Sequence, residues 1–246
     1  MPTAASAHIS FIPTGSSAYY GETSPRSSTR VGRGIQLWDN GNKYIGYWSN
    51  NKVHKEGKFL HSNGDYYEGK FKNGKANGHG VYVHGDGSSK YEGDWKDNLQ
   101  HGYGQEVWND GACYEGFYDK GRKSGKGRFR WGNGNEYSGT FDNNILHGYG
   151  CFKWKDGKQY EGYWKNGKMN GKGVFIWEYN SNKRYEGNYV NDKKEGYGVF
   201  HWNDGKIYKG MWKNGKMNGK GELYYPKCDK WVTGVWKEGK KVNSSS

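Results

Sequence analysis

The histidine and cysteine side chains of this chain, which could ligate a metal or act as nucleophile and base, follow no common spacing. The cysteines, Cys113, Cys151 and Cys228, are widely separated and form no Cys-x-x-Cys pair. The histidines in the body of the chain are His54, His61, His79, His84, His101, His147 and His201. A zinc site or a catalytic triad needs several such groups, with an acidic member, converging on one point. The sequence therefore predicts no metal site, no cofactor, no catalytic residues and a protein that is not an enzyme.

Glutamates recur directly after a tyrosine, at Glu68, Glu92, Glu115, Glu161 and Glu186. Such a column has two interpretations. It is either a polar groove or general acid–base set, or a ladder of cross-strand pairs with Lys and Arg, each worth roughly 0.2–1 kcal/mol. We favour the ladder, because catalysis rarely needs the same residue in every repeat. Recurring Gly-x-Gly pairs are likewise not phosphate-binding loops, since those loops require a strand-to-helix transition.

An internal repeat carries all of these side chains. Tyr-x-Gly-x-aromatic recurs every 23 to 25 residues, with a Gly-x-Gly pair midway through most units. The eight units start at Tyr44, Tyr67, Tyr91, Tyr114, Tyr137, Tyr160, Tyr185 and Tyr208. The residues assigned a structural role in the repeat are Tyr67, Gly69, Tyr91, Gly93, Trp95, Tyr160, Gly162, Trp164, Gly171, Gly173, Tyr208, Gly210 and Trp212.

Within a unit the sequence pattern has a period of two, which is typical of β-strands. Asn-Gly and Asp-Gly pairs between the strands supply the positive φ that tight hairpin turns need. We therefore predict an all-β fold, a single-layer antiparallel β-hairpin solenoid that is elongated and twisted. Trp, Tyr and Phe outnumber Leu, Ile and Val, so the predicted core is a spine of aromatic rings lying over glycines.

The repeats also set the predicted domain boundaries. The array is expected over residues 31–239, with eight full repeats and a half repeat at each end. The half repeats surround Gly32-Arg33-Gly34 and Val232-Thr233-Gly234. Residues 1–30 are rich in Ser, contain Pro and carry little charge, and residues 240–246 end in serines, so both segments are predicted to be disordered tails.

The repeat resembles the MORN (membrane occupation and recognition nexus) motif, which is close to Tyr-x-Gly-x-Trp-x-x-Gly-x-x-x-Gly-x-Gly. The unit from Tyr160 to Gly173 matches every specified position. Departures are local: Lys55 replaces the first glycine of one Gly-x-Gly pair. Asn or Asp, which can also reach the left-handed conformation, replaces the glycine of the turn at Asn51, Asn98, Asn144 and Asp192.

The resemblance implies interaction rather than chemistry. MORN arrays occur in junctional membrane proteins, phosphatidylinositol phosphate kinases, cytoskeletal scaffolds and radial spoke heads of cilia, and the near-complete repeat content is most like the radial spoke head proteins. We expect a scaffold with protein partners in a cytoskeletal or ciliary complex. Its expected location is the cytoplasm, on the cytoskeleton or in the axoneme of a cilium (flagellum), and the unpaired cysteines fit a reduced compartment.

The alternative is a module at the membrane periphery that binds anionic phospholipid, such as a phosphoinositide, or regulates a lipid kinase. The formal net charge of +13 favours acidic partners in general. Nucleic acid is not expected, because the aromatic residues are committed to internal stacking rather than to bases. A homodimer is also left open.

Lysines concentrate around the predicted hairpin turns. Those assigned to an anionic lipid or acidic partner are Lys72, Lys75, Lys165, Lys168, Lys213 and Lys216. If all hairpins turn on the same side, these lysines form one basic edge. The other interpretation is an edge that lysines keep soluble and protect from strand pairing.

The residue between the paired glycines varies from repeat to repeat and points away from the predicted spine. Because the spine is regular and this face is not, we expect partner-specific contacts on it. Aromatic residues are common anchors in protein interfaces, so the assigned partner-binding residues are Tyr103, Tyr149 and Tyr197. The other interpretation is drift on a solvated face.

Overall fold

The computed structural model describes residues 8–178 and 181–242, and the chain divides into two compact units, the first ending at Arg122 and the second beginning at Lys123. The strands of the first unit are β1 (His8–Thr14), β2 (Ser17–Thr23), β3 (Arg30–Leu37), β4 (Lys43–Ser49), β5 (Lys52–Leu60), β6 (Tyr66–Lys72), β7 (Lys75–Val83), β8 (Ser89–Lys96), β9 (Leu99–Trp108) and β10 (Cys113–Asp119). Each strand pairs antiparallel with the next strand in the chain. The first unit is therefore a meander of β-hairpins.

The second unit repeats this organisation. Its strands are β11 (Arg122–Arg130), β12 (Glu136–Asp142), β13 (Ile145–Lys153), β14 (Gln159–Lys165), β15 (Lys168–Ile176), β16 (Arg184–Val190), β17 (Lys193–His201), β18 (Ile207–Lys213), β19 (Lys216–Tyr225), β20 (Lys230–Lys237) and β21 (Lys240–Val242). They too pair antiparallel in chain order. No α-helix forms among the described residues, and the predicted all-β, single-layer antiparallel hairpin fold is confirmed.

A row of buried tyrosines forms the core of each unit. The Tyr160 hydroxyl donates to the backbone carbonyl of Tyr163 at 3.0 Å, and the ring lies across Gly162 of its own strand and Gly173 of the next strand. A β-carbon at Gly162 would lie 2.5 Å from the Gly173 Cα. The same hydroxyl contact, to the carbonyl three residues on, is made by Tyr19, Tyr44, Tyr67, Tyr91, Tyr114, Tyr137, Tyr185 and Tyr208. This is the predicted aromatic–glycine spine.

Edge-to-face ring contacts join one repeat to the next within each unit. The Tyr160 ring centroid lies 5.1 Å from that of Trp164 on its own strand and 5.2 Å from that of Tyr189 in the following repeat, and both ring pairs are nearly perpendicular. In this geometry the positive edge of one ring meets the negative face of the other, which adds about 0.5–1.5 kcal/mol per pair beyond area burial. Contacts between aromatic rings thus stabilise this core, as aliphatic packing stabilises an ordinary one.

The N-terminal segment differs from its prediction as a disordered tail. β1 and β2 form a hairpin, and β2 pairs with β3 so that Gly21 faces Gly34. Tyr19 is 1% exposed and meets Trp48 edge-on at 5.5 Å. Tyr19-x-Gly21 is therefore a further copy of the signature, hidden because Thr23 stands where other units have an aromatic residue. The prediction is wrong for the two strands, while residues 1–7 lie outside the described residues.

The C-terminal end shows a smaller difference of the same kind. Residues 240–246 are predicted to be a disordered tail, but Lys240–Val242 forms β21, which pairs with β20 and sets Val242 opposite Val235. Backbone pairing and this apolar cross-strand contact offset the cost of ordering the segment. Residues 243–246 lie outside the described residues.

Asn and Asp occupy the glycine positions of the turns as predicted, with φ between 63° and 70° at Asn51, Asn98, Asn144 and Asp192. Their side chains add contacts that glycine lacks. Asn98 Oδ1 accepts from the Ala76 amide at 2.7 Å, and Asp192 Oδ1 accepts from the Met169 amide at 2.8 Å. These bonds tie each turn to the turn of the preceding repeat. Lys55 adopts a φ of 55°, so the first repeat keeps the left-handed geometry without a glycine.

Candidate interaction surfaces

The sheet face opposite the buried tyrosines, here called the outer face, presents aromatic side chains to solvent. Tyr103, Tyr149 and Tyr197, the predicted partner anchors, are 48%, 52% and 56% exposed. Each lies between the two glycines of a Gly-x-Gly pair, and alternation along the strand turns it away from the spine. The predicted placement of these three residues on an exposed face therefore agrees with the structure, while their binding of a partner stays a prediction.

Each anchor stands opposite a second exposed apolar residue on the neighbouring strand. These partners, 42% to 50% exposed, are Phe117, Tyr163 and Met211. The Tyr149 and Tyr163 rings meet edge-to-face with centroids 5.4 Å apart. Sequence reasoning did not select the second members, because it chose the anchors from the residues between paired glycines and these partners lie in the Tyr-x-Gly strand. The period of two had already assigned that position to the outer face.

Glutamates of the outer face hold two of the anchors in place. The Tyr103 hydroxyl donates to Glu115 Oε1 at 2.6 Å, and the Tyr149 hydroxyl donates to Glu161 Oε1 at 3.0 Å. These hydrogen bonds to a carboxylate raise the pKa of both phenols, because ionisation would break the bond and set two negative charges together. Both anchors thus present an apolar ring edge with a fixed polar tip.

The predicted glutamate–lysine ladder is only partly present. Glu68 pairs with Lys58 of the facing strand at 3.0 Å, whereas Glu92 pairs at 2.8 Å with Lys90 of its own strand, and both are exposed contacts of low energetic value. The glutamates that hold Tyr103 and Tyr149 belong to the same column. Each glutamate of the column thus makes a local structural contact, and the donor it accepts from differs between repeats, being a lysine in some and a tyrosine in others.

Exposed lysines separate the two apolar pairs on the outer face of the second unit, Tyr149/Tyr163 and Tyr197/Met211. Lys172 faces Asn188 between these two pairs, and Lys126 and Lys220 lie on the residue pairs beyond them. Because adjacent strands are about 4.8 Å apart, one residue pair follows the next at roughly 10 Å. A partner lying across this face would meet a lysine and a tyrosine-containing pair alternately.

A second candidate surface, present in each unit, is the edge made by the hairpin turns inside its repeats, here called the basic edge. Lys165 stands directly opposite Lys168 across one turn, and Lys72/Lys75 and Lys213/Lys216 do the same across two others. All six are exposed. Like charges directly opposite each other destabilise a hairpin.

Acidic residues relieve part of this repulsion. Lys75 lies 3.4 Å from Asp97, and Lys216 lies 2.7 Å from Glu238. Within the described residues, Lys165 and Lys168 form no ion pair. The basic edge therefore keeps uncompensated positive charge at one turn of the second unit.

The spine face carries aromatic grooves that sequence reasoning did not single out. In the first unit, Trp38, Phe59, Tyr82 and Trp95 help to line a concavity of about 550 Å³. In the second unit the Phe and Trp that follow four of the Gly-x-Gly pairs form a row of tilted ring contacts, as Trp154 does with Phe175 at a centroid distance of 5.4 Å. The signal was available, because Phe and Trp two residues apart share a strand face.

The described residues bring together no group of three His, Cys, Asp or Glu side chains that could hold a metal ion. Three histidines each lie beside one aspartate: His79 near Asp94, His84 near Asp65 and His101 near Asp119, at 3.3–3.7 Å. Asp65 also accepts a hydrogen bond from the Tyr82 hydroxyl at 2.7 Å. No helix in that part of the chain is long and apolar enough to cross a membrane.

Fold and surfaces together define a β-hairpin repeat protein whose exposed groups suit binding. A family model for the MORN repeat matches residues 44–66, 67–89, 91–113, 114–136, 137–159, 160–178, 185–207 and 208–227. The chain therefore belongs to the MORN-repeat family. Each match starts at one of the eight repeat tyrosines, so the register read from the sequence is confirmed.

Comparison with solved structures gives weak likenesses. The TCP domain of Drosophila melanogaster SAS-4 (dCPAP), in complex with a proline-rich motif of Ana2 (dSTIL), is 13% identical, with 62% of this chain and 86% of that chain covered and a TM-score of 0.38. A mutant TCP10 domain of Danio rerio CPAP is 9% identical, with 91% and 96% covered and a TM-score of 0.38. Such scores carry no functional argument. Comparison with curated proteins found no significant match.

Proposed function

We propose that this chain is a non-enzymatic scaffold that joins protein partners in a cytoskeletal assembly, and that the assembly is the radial spoke head of a cilium. MORN repeats are consistent with a protein-interaction scaffold. The observation that carries the proposal is the outer face of the second unit, where an exposed Tyr–Tyr pair and an exposed Tyr–Met pair alternate with lysines.

The composition of this face favours protein over small-molecule binding. Tyr and Met are enriched in protein interfaces, and a few aromatic anchors supply most of the binding energy there. The Tyr149/Tyr163 and Tyr197/Met211 pairs are four strands apart, roughly 19 Å, which a protein segment spans readily. The lysines between them suit a partner with acidic residues next to its apolar ones.

Replacing Tyr149 and Tyr197 together by serine is expected to remove the partners of the outer face. Loss of one buried aromatic anchor typically costs 2 kcal/mol or more, about 30-fold in affinity. The measurement is proximity labelling in ciliated cells with the wild-type chain and with the double variant, followed by affinity measurement on each purified partner that disappears.

The matched control replaces Ile145 and Val190, two apolar residues each 46% exposed at the hairpin edge of the same unit, by serine. This control should retain the cytoskeletal or ciliary partners. The scaffold proposal is abandoned if the tyrosine variant keeps every partner, or if the control loses the same ones. A partner set from another compartment would overturn the ciliary assignment alone.

Membrane binding through the basic edge is the second candidate function, favoured by the uncompensated Lys165 and Lys168. Each lysine near an anionic membrane surface contributes about 1 kcal/mol. Lys→Glu replacement at Lys165, Lys168, Lys213 and Lys216 should therefore abolish co-sedimentation with vesicles that contain phosphatidylinositol phosphates.

Charge reversal elsewhere provides the control for this experiment. Lys→Glu replacement at Lys126, Lys153, Lys172 and Lys220, which are exposed and lie outside the basic edge, changes the net charge equally. It should preserve more binding than the edge variant. Equal loss in both variants would show a nonspecific charge effect, and no binding by the wild-type chain would exclude this function.

A further inference from the structure

One lysine of the second unit lies half-buried among the aromatic rings of the spine face. Lys194 of β17 stands opposite Tyr189 of β16, at the position that the neighbouring hairpins fill with Met169 and Met217. Its Nζ is surrounded by four rings, at centroid distances of 4.4 Å for Phe200, 4.7 Å for Trp212, 4.9 Å for Trp177 and 5.1 Å for Tyr185. Where its neighbours place a thioether, this repeat places an amine.

No carboxylate of the described chain forms an ion pair with Lys194. A second positive charge lies at the same cage: Lys183 Nζ, from the turn before β16, lies 5.5 Å from the centroid of Trp177, one of the four caging rings. The titratable phenols that face the cage are those of Tyr185 and Tyr189 on β16 and that of Tyr208 on β18, which stands opposite Phe200. β18 also contributes Trp212, and Trp177 follows the end of β15.

From this arrangement we propose that Lys194 is a carbonyl-reactive site, whose Nζ forms an imine with small apolar aldehydes. A lysine becomes a strong nucleophile at neutral pH when an apolar pocket removes water from it or another cation lies nearby. Lys194 meets both conditions. The four rings also offer an apolar surface on which the hydrocarbon part of an aldehyde can pack.

Two electrostatic effects compete at Nζ. The ring faces attract the ammonium ion, whereas loss of hydration and the Lys183 charge favour the neutral amine. Burial is the larger effect, since it can lower the pKa of a lysine to about 5–6 in an apolar interior. Burial, together with the repulsion from Lys183, lowers the pKa of Lys194 to about 8.

The neutral fraction follows from that value. At pH 7 an amine with a pKa near 8 is roughly 10% neutral, against less than about 0.1% for a solvated lysine. The gain is about two powers of ten in reactive amine. Part of it is lost because a less basic amine is a weaker nucleophile and because the cage restricts access. A net preference of about tenfold or more over an exposed lysine is expected.

The reaction needs no oxidant, reductant or cofactor. The lone pair of neutral Nζ attacks the carbonyl carbon, a C–N bond forms, and the carbonyl oxygen takes up two protons and leaves as water. The two protons come from the amine in net terms, so aldehyde and amine give imine and water. The aromatic surroundings keep water away from the C=N bond and slow its hydrolysis.

The test uses the full chain at pH 7 with propanal as the probe and cyanoborohydride to trap the imine as a secondary amine. Peptide mass spectrometry then gives the rate of modification at each lysine. Lys194 should react about tenfold or more faster than Lys193, its exposed neighbour on the same peptide. The rate at Lys194 should also level off above about pH 8.

Unfolding provides the decisive comparison. In guanidinium chloride the cage is absent, so the ratio of the Lys194 rate to the Lys193 rate should fall to about one. The proposal is overturned if Lys194 reacts no faster than Lys193 in the folded chain. It is also overturned if the preference survives unfolding, since it would then belong to the local sequence and not to the cage.

Discussion

Alkaline unfolding is expected to set in steeply above pH 10, well before the buried tyrosines themselves ionise. The reason is that each repeat places at least one phenol in the core. Burial raises the pKa of Tyr137 and Tyr208 to about 12 and raises the pKa of Tyr160 and Tyr185 as well, because a phenolate cannot be hydrated there. In the unfolded chain the same groups ionise near pH 10.

The sign follows from proton binding. Between pH 10 and the folded-state pKa values, the unfolded chain has lost the phenolic protons and the folded chain has kept them, so stability falls as pH rises. Each tyrosine lowers the free energy of unfolding by about 1.4 kcal/mol per pH unit. With five such tyrosines in the second unit, Tyr189 being the fifth, the loss is about 7 kcal/mol per pH unit, comparable to the whole stability of many domains.

Urea unfolding at a series of pH values from 8 to 11.5 measures this slope. Tyr160→Phe should make it shallower by about 1.4 kcal/mol per pH unit above pH 10, because one titrating group is gone. Phe141→Leu is the control: Phe141 is buried and does not titrate, so its loss should lower stability equally at all pH values. If the free energy of unfolding of the wild-type chain does not fall above pH 10, the explanation by buried phenols is wrong.

The sequence predicted most of the spine because its geometry leaves few choices. A tyrosine that spans two facing glycines needs a fixed strand register, and that register repeats wherever Tyr-x-Gly and Gly-x-Gly repeat. The N-terminal hairpin was not predicted because Thr23 replaces the aromatic residue at the last position of the Tyr-x-Gly-x-aromatic pattern. Tyr19 and Gly21, the residues that pack in the core, follow the pattern.

The candidate surfaces were only half predictable for a related reason. Tyr149 was predicted because its position in the repeat varies in residue type. Its partner Tyr163 is a cross-strand neighbour, and pairing across strands depends on the register of the two strands. The position of Lys194 among the aromatic rings was not predicted, because Lys193 precedes it and two adjacent lysines suggest a solvated turn. Comparison with Met169 and Met217 at the same repeat position would have placed it on the spine face.

The regular spine and the variable outer face are expected to differ in their tolerance to mutation. Outer-face residues such as Tyr149 or Lys172 contact mainly solvent and their cross-strand neighbours, so their replacement should alter binding with little change in stability. Glycines under the tyrosines have no such freedom, since their only role is to leave space. Loss of function by the two routes is therefore separable in experiment.

Replacement of Gly210 by alanine is expected to cost about 3 kcal/mol or more of stability, a large effect for removal of no contact at all. Gly210 faces Gly221 directly across the β18–β19 pair. A β-carbon at Gly210 would lie 2.5 Å from the Tyr208 hydroxyl oxygen and 2.6 Å from the Gly221 Cα. Because the second atom belongs to the backbone, relief requires the two strands to separate, which breaks the ladder and tilts the ring.

The matched control is Gly215→Asn in the turn of the same repeat. Gly215 has a φ of 82° and nothing within 4 Å of its β-carbon position, and asparagine already occupies the corresponding turn position at Asn98 and Asn144 with left-handed φ. Its stability should stay within about 0.5 kcal/mol of the wild type. Urea unfolding followed by tryptophan fluorescence and far-ultraviolet circular dichroism compares the two variants. If Gly210→Ala is no less stable than Gly215→Asn, glycine is not required there to make room for the tyrosine ring. The edge-to-face ring contacts alone must then hold the spine.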